Sequence, residues 1–165
     1  MRILIAGVGN LLRGDDGFGV AVAHALAEKY KSSDVRVFEA GIAGIALVQE
    51  LMSGYDALIV ADAIDRSEAP GTVYLIEPET PDIDSIEPAA LHNSLVDSHY
   101  AEPSKVLLLA KALGVLPERV LMIGCQPGGL DELGDNLSRP VKAAVKIAVK
   151  RIESLIEELS GEEKP

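Results

Sequence analysis

Short apolar runs alternate with stretches of helical period along this chain, and this alternation restricts the fold more than any other feature. The runs of strand length are residues 2–7, 35–38, 57–61 and 120–123. The stretches of helical period are residues 17–31, 45–52, 103–113 and the segment that follows Ser138. Strands that alternate with helices predict a sheet covered by helices, and they argue against an all-helical bundle.

A further apolar run, residues 72–76, follows Pro70-Gly71 after a link that is too short for a helical crossover. We therefore expect this strand to be antiparallel to its neighbour. The sequence thus predicts a three-layer α/β fold with a twisted, mostly parallel five-stranded sheet, one antiparallel strand and helices on both faces. A length of 165 residues fits one domain, predicted at residues 1–160, with a frayed tail at 161–165.

One long segment, residues 77–98, interrupts the alternation. It is acidic, contains several prolines and shows little periodicity. A loop of this length in a compact domain is more often functional than a passive connection, so we expect a functional lid here.

Composition and charge argue against several classes of protein. The formal net charge of -11 disfavours binding to nucleic acid or to an anionic membrane, because both reward clustered Lys and Arg. Cys125 is the only cysteine, which excludes an internal disulfide and a zinc site made of several thiolates. The apolar runs are too short for the core of a signal peptide or for a membrane span. We expect a cytoplasmic protein.

A glycine-rich turn that carries two adjacent carboxylates follows the first predicted strand. It begins with Gly7-Val8-Gly9 and reaches Asp15-Asp16 just before a predicted helix. Glycines in this place often bring backbone amides up to a pyrophosphate, but two aspartates would repel that anion. The turn therefore suits a cation or a peptide better than a nucleotide.

Three polar groups are predicted to meet where the parallel strands end. Asp16 follows the first strand, Asp62 ends the third, and His99 precedes the helix that leads to the last strand. Two carboxylates and an imidazole form a mixed oxygen and nitrogen set of the kind that binds a divalent transition metal. His92, in the long loop close to His99, is the substitute ligand.

Each of these residues also has a purely structural interpretation. Asp15 or Asp16 would suit the N-cap of the helix that starts at Gly17. Asp62 would serve as an ordinary turn former at a strand end. His99 would be a solvated loop histidine, which is the commoner fate of a single histidine.

The remaining candidates for chemistry are weaker. Cys125 ends an apolar strand without a neighbour that would lower its pKa, which favours a buried structural thiol. His24 is expected on a packed or exposed helix face. Ser94 and Ser98 lie beside histidines but lack the Gly-x-Ser-x-Gly pattern, so a serine hydrolase is disfavoured.

Several short motifs occur in a fixed order from the first strand to the last helix. The motifs are Gly7-Val8-Gly9-Asn10, Asp15-Asp16-Gly17 with Gly19, Glu39-Ala40-Gly41 with Gly44, Val60-Ala61-Asp62-Ala63, Ser98-His99, Leu107-Leu108-Leu109-Ala110 with Leu113-Gly114, Gly124-Cys125-Gln126-Pro127, and Leu137-Ser138 with Pro140-Val141. Each motif is weak alone, but in their shared order and spacing they specifically resemble one family, the maturation proteases of nickel-iron hydrogenases.

The resemblance implies that Asp16, Asp62 and His99 occupy the positions of the family's metal-contacting acid, acid and histidine. It implies a partner, the precursor of a nickel-iron hydrogenase large subunit, from which the family removes a C-terminal extension. The nickel is carried by that substrate, although another divalent metal is an alternative occupant of the site. Well-known members have Glu at the first position, where this chain has the shorter Asp16.

The leading hypothesis is therefore a nickel-dependent endopeptidase that uses Asp16, Asp62 and His99 as both catalytic and metal-binding residues. A non-catalytic nickel carrier or docking chaperone would use the same ligands and stays an alternative. A dinucleotide-dependent oxidoreductase is the third. It is suggested by the glycines after the first strand and by Glu39 at the end of the second, but Leu12 stands where the third glycine should be.

Overall fold

The computed structural model describes residues 1–31, 34–79, 103–130 and 133–161. The strands are β1 Ile3–Val8, β2 Val35–Gly41, β3 Ala57–Ala63, β4 Val73–Ile76 and β5 Arg119–Cys125. The α-helices are α1 Phe18–Ala27, α2 Gly44–Leu51, α3 Pro103–Ala112 and α4 Arg139–Gly161. A 3-10 turn, Gly14–Gly17, leads into α1.

The five strands form one mixed sheet in the order β2-β1-β3-β5-β4. The first four in this order are parallel to one another, and β4 pairs with β5 in the antiparallel direction. Both the five-stranded α/β architecture and the single antiparallel strand were predicted from the sequence, and both are confirmed. The short link before β4 explains its direction, because it leaves no room for a crossover helix.

Apolar side chains cover both faces of the sheet. On one face, α1 and α4 pack against alternate residues of the central strands, such as Ile5 and Ile59. On the other face, α2 and α3 pack against the intervening residues, such as Leu4 and Leu58. Because successive strand residues point to opposite faces, a strand covered on both sides must be apolar throughout. The continuous apolar runs in the sequence reflect this burial.

Several predicted element ends differ from those in the structure. The first helix ends at Ala27 rather than at residue 31, because residues 28, 29 and 31 are exposed and offer no apolar side chain to the core. The last helix begins at Arg139, just after Ser138 as predicted, with Pro140 in its first turn, and it extends through Gly161. The rest of the predicted tail and most of the predicted lid, residues 80–98, lie outside the described residues.

A close approach between α1 and the sheet sets the position of the turn that carries Asp16. A Cβ atom on Gly19 would lie 2.0 Å from the carbonyl oxygen of Ala61 in β3 and 2.3 Å from that of Val8. Glycine is therefore required for the first turn of α1 to rest on these strands.

Among the described helices, none combines the length and the apolar composition that a membrane span needs.

Candidate active site

Two of the three predicted site residues line the same cavity at the carboxyl ends of the parallel strands. Asp16 lies in the 3-10 turn after β1, and Asp62 lies near the end of β3. Their cavity has a volume of about 210 Å³, and the other described residues that line it are Val8, Gly9, Gly41, Ile42, Ala63 and Pro103. His99 and its substitute His92 lie outside the described residues, so the complete ligand set stays a prediction.

The backbone of the glycine-rich turn holds Asp16 in place. Gly9 has a φ of +128°, and a Cβ atom there would lie 1.9 Å from the carbonyl oxygen of Asp16. The chain thus folds back on itself at a point where only glycine fits. The backbone N–H of Asn10 donates to Oδ2 of Asp16 at 2.9 Å. This bond fixes the carboxylate at the edge of the cavity.

Asp62 is the more deeply buried of the two carboxylates, with 7% of its surface exposed. Burial, the largest cause, and the negative charge of Asp16 together raise its pKa from 3.8 to about 7, against a backbone hydrogen bond at Ala63 that lowers it. Near neutral pH Asp62 therefore exists in both protonation states. A carboxyl group with such a pKa can accept or donate a proton during catalysis.

Asp15 faces a different part of the molecule from Asp16. Its carboxylate accepts hydrogen bonds from the backbone N–H groups of Gly128 and Ser138 and from the Ser138 hydroxyl. The N-cap position of α1 is occupied by Gly17, and no side chain caps it. The capping interpretation of the two aspartates is therefore wrong. Ser138 does precede α4 as predicted, but its hydroxyl donates to Asp15.

Gln126 is a buried polar residue that the sequence indicated only as part of a motif. Its Oε1 accepts hydrogen bonds from the backbone N–H groups of Arg66 and Glu68 and from the Tyr74 hydroxyl, at 2.7, 3.2 and 3.2 Å. Its Nε2 donates to Oδ1 of Asp65 at 3.0 Å. One amide thus organises the loop that leaves β3 just after Asp62. The sequence signal for this role is a polar side chain directly after an apolar strand, because a polar group buried there needs hydrogen-bond partners.

A second and larger cavity adjoins the first. It has a volume of about 740 Å³ and shares Asp62, Ala63 and Pro103 with the smaller one. Its apolar lining includes Ile64, Leu107, Leu108, Met122 and Leu130. Ligand sites are typically mostly apolar with a few convergent polar groups, and the two adjoining cavities together have this character.

The other candidates for chemistry have structural roles. Cys125 is fully buried, and burial together with the charge of Asp15 raises its pKa to about 11, so it is the inert thiol that the sequence indicated. His24 is exposed, and its Nε2 lies 2.7 Å from Oε2 of Glu39. Among the described residues, no group of three or more His, Cys, Asp and Glu side chains could hold a metal ion. Asp16 and Asp62 would thus need a further ligand.

The mixed sheet with helices on both faces defines an α/β protein with an acidic cavity at the carboxyl ends of its parallel strands. A family model described as HycI, hydrogenase maturation protease, matches residues 20–155. The chain belongs to the hydrogenase maturation protease family, and it is a peptidase. This assignment replaces the alternatives of a nickel carrier and of an oxidoreductase.

Individual relatives agree with the family. The chain is 37% identical over 151 residues to the hydrogenase expression/formation protein HupD of Rhizobium leguminosarum bv. viciae, which covers 90% of this chain and 71% of that protein. It is 32% identical over 168 residues to the hydrogenase 2 maturation protease of Escherichia coli strain K12, covering 100% and 96%. The solved structure of the hydrogenase maturating endopeptidase HybD from E. coli superposes with a TM-score of 0.76 at 31% identity, covering 96% and 93%.

Proposed function

We propose that this peptidase removes the C-terminal extension of a nickel-iron hydrogenase large-subunit precursor after nickel insertion, and that it recognises the bound nickel. The observation that carries this proposal is the shared cavity of Asp16 and Asp62, with a pKa near 7 at Asp62. The nickel belongs to the substrate. It would enter this cavity together with the peptide to be cut.

The donor set suits such an ion. Carboxylate oxygens from Asp16 and Asp62, with His99 as the expected third ligand, form the mixed set that a divalent transition metal accepts. A metal bound there would supply Lewis-acid chemistry at the scissile carbonyl. The protein's own residues would contribute proton transfer by an aspartate, as in an aspartic-type peptidase. Asp62 in its ionised form would take a proton from the attacking water, and in its neutral form it would return one to the leaving amine.

The substrate peptide needs space beside the two carboxylates. The larger cavity supplies it, because it begins at Asp62 and continues along the N-terminal half of α3. We propose that the chain next to the scissile bond lies there. We propose that the reaction takes place in the cytoplasm. The only cysteine is a free, buried thiol, so the protein has no internal disulfide that would require an oxidising compartment.

The proposal is tested by incubating the protein with a purified large-subunit precursor and measuring the mass of the precursor. The precursor is prepared in three forms: nickel-loaded, nickel-free, and loaded with zinc as a control. We expect loss of a C-terminal peptide from the nickel-loaded form alone. Equal cleavage of all three forms would contradict recognition of nickel, and an unchanged mass in all three would contradict the proposed substrate.

A further inference from the structure

Asp15 is a buried carboxylate that the proposed chemistry does not use. Only 3% of its surface is exposed, and among the described residues it does not line the cavity of Asp16 and Asp62. Oδ1 accepts a hydrogen bond from the backbone N–H of Ser138 at 2.6 Å. Oδ2 accepts from the N–H of Gly128 at 2.8 Å and from the Ser138 hydroxyl at 2.9 Å. Three donors therefore converge on one side chain from two segments of the chain.

The donors come from a distant part of the chain. Gly128 follows β5 and Ser138 precedes α4, more than 110 residues after Asp15. A second link lies beside them, because the N–H of Gly14 donates to the carbonyl oxygen of Gly134 at 2.8 Å and the N–H of Gly134 donates to that of Leu12 at 3.1 Å. The turn that carries Asp16 is thus attached by these hydrogen bonds to the segment between β5 and α4.

We propose that Asp15 is a positioning residue that holds Asp16 at its place in the active-site cavity. The two adjacent aspartates have separate tasks. Asp16 meets the reacting groups, and Asp15 attaches the same 3-10 turn to the scaffold. This inference rests on the proposed function, since it concerns the rate of the cleavage that Asp16 supports.

Loss of this attachment would act on Asp16 through the backbone. An amide at position 15 offers one acceptor oxygen, so at least one of the N–H groups of Gly128 and Ser138 would face an NH₂ group. The turn would have to move to relieve that contact. A displacement on the order of 1 Å at a catalytic group costs up to about 100-fold in rate.

The test compares Asp15→Asn with Asp56→Asn on the nickel-loaded precursor. Asp56 is an exposed aspartate that controls for the change from carboxylate to amide itself. Its Oδ2 accepts a hydrogen bond from the backbone N–H of Arg2 at 2.5 Å, and it lies before β3, outside the residues that line the active-site cavity. We expect Asp15→Asn to lower kcat by about 10-fold to 100-fold with KM changed less than about 3-fold. Asp56→Asn should leave both constants near those of the parent protein.

A second pair of variants keeps the test valid if Asp15→Asn folds poorly. Ser138→Ala removes one of the three donors and should lower kcat by a few-fold, whereas Ser138→Thr keeps the hydroxyl and should restore it. Thermal unfolding of every variant is followed in parallel. If Asp15→Asn and Ser138→Ala lower stability but cleave at the parent kcat, Asp15 is merely structural and the inference is wrong. If the parent protein itself does not cleave, the proposed function fails instead.

Discussion

Asp62→Asn is expected to stop cleavage of the precursor and, at the same time, to stabilise the protein above pH 7. The amide can neither accept the proton of the attacking water nor serve as an anionic ligand. Loss of a general base alone lowers a rate by about 100-fold or more. Cleavage of the nickel-loaded precursor, followed by mass, should therefore fall by at least that factor.

The gain in stability follows from the direction of the pKa shift of Asp62. In the folded protein the pKa is about 7, raised mainly by burial, whereas the ordinary value is 3.8. Below pH 3.8 the Asp62 side chain is protonated in both the folded and the unfolded state, so it does not lower the free energy of unfolding. As the pH rises to 7, only the unfolded state releases its proton, so the folded state becomes relatively less stable. The loss is complete above pH 7.

An asparagine at position 62 has no such dependence on pH. Because each pKa unit corresponds to about 1.4 kcal/mol, the upper limit of the gain above pH 7 is about 4 kcal/mol. We expect the free energy of unfolding by urea to increase by about 2–4 kcal/mol at pH 8 and by little at pH 4.

The control is Asp65→Asn, three residues further along the chain. Asp65 is exposed, and hydrogen bonds from the Gln126 side chain and from the backbone of Ser67 lower its pKa, so its substitution should not stabilise the protein at pH 8. An equal free energy of unfolding for Asp62→Asn and the parent at pH 8 would show that Asp62 is not held in a costly ionised state.

Gly19→Ala is the second substitution with a large expected effect. The added Cβ would lie 2.0 Å and 2.3 Å from backbone oxygens of two different strands, and no side chain can move aside to make room. The first turn of α1 must then shift away from the sheet. We expect a loss of more than about 3 kcal/mol in the free energy of unfolding, and a melting temperature lower by roughly 6–12 °C.

The matched control is Gly129→Ala, where a Cβ would meet no atom of the described residues within 4 Å and φ is not positive. It should melt close to the parent protein. The 3-10 turn ends two residues before Gly19, so Gly19→Ala should also lower kcat at temperatures where the variant is fully folded. A variant that melts with the parent would mean that α1 does not approach the strands as closely as described.

Much of the fold was predictable because its signals are local. The run at 57–61 is apolar on both faces, and in the structure it belongs to β3, which is covered by helices on both sides. The direction of β4 followed from the length of the link before it. The meeting of Asp16 and Asp62 was predictable as well, since the carboxyl ends of parallel strands lie at one edge of the sheet.

The contacts that fix the site were not predictable, because they join residues far apart in the sequence. Asp15 and Asp16 are chemically identical neighbours, and although Asp16 was assigned to the site, nothing in the sequence identified the hydrogen-bond donors that hold Asp15. Their roles depend on the donors at Gly128 and Ser138, which the fold alone brings near Asp15. The buried amide of Gln126 is a similar case, since its main partners lie about 50 to 60 residues away.

The central claim is that the carboxylate of Asp16 acts together with that of Asp62 in one cavity. The most direct measurement is the rate of C-terminal peptide release from nickel-loaded precursor by the parent protein, Asp16→Asn and Asp16→Glu. We predict that Asp16→Asn leaves the precursor at full length, while Asp16→Glu, which keeps the charge on a longer side chain, retains cleavage. Release by Asp16→Asn at the parent rate would contradict the claim.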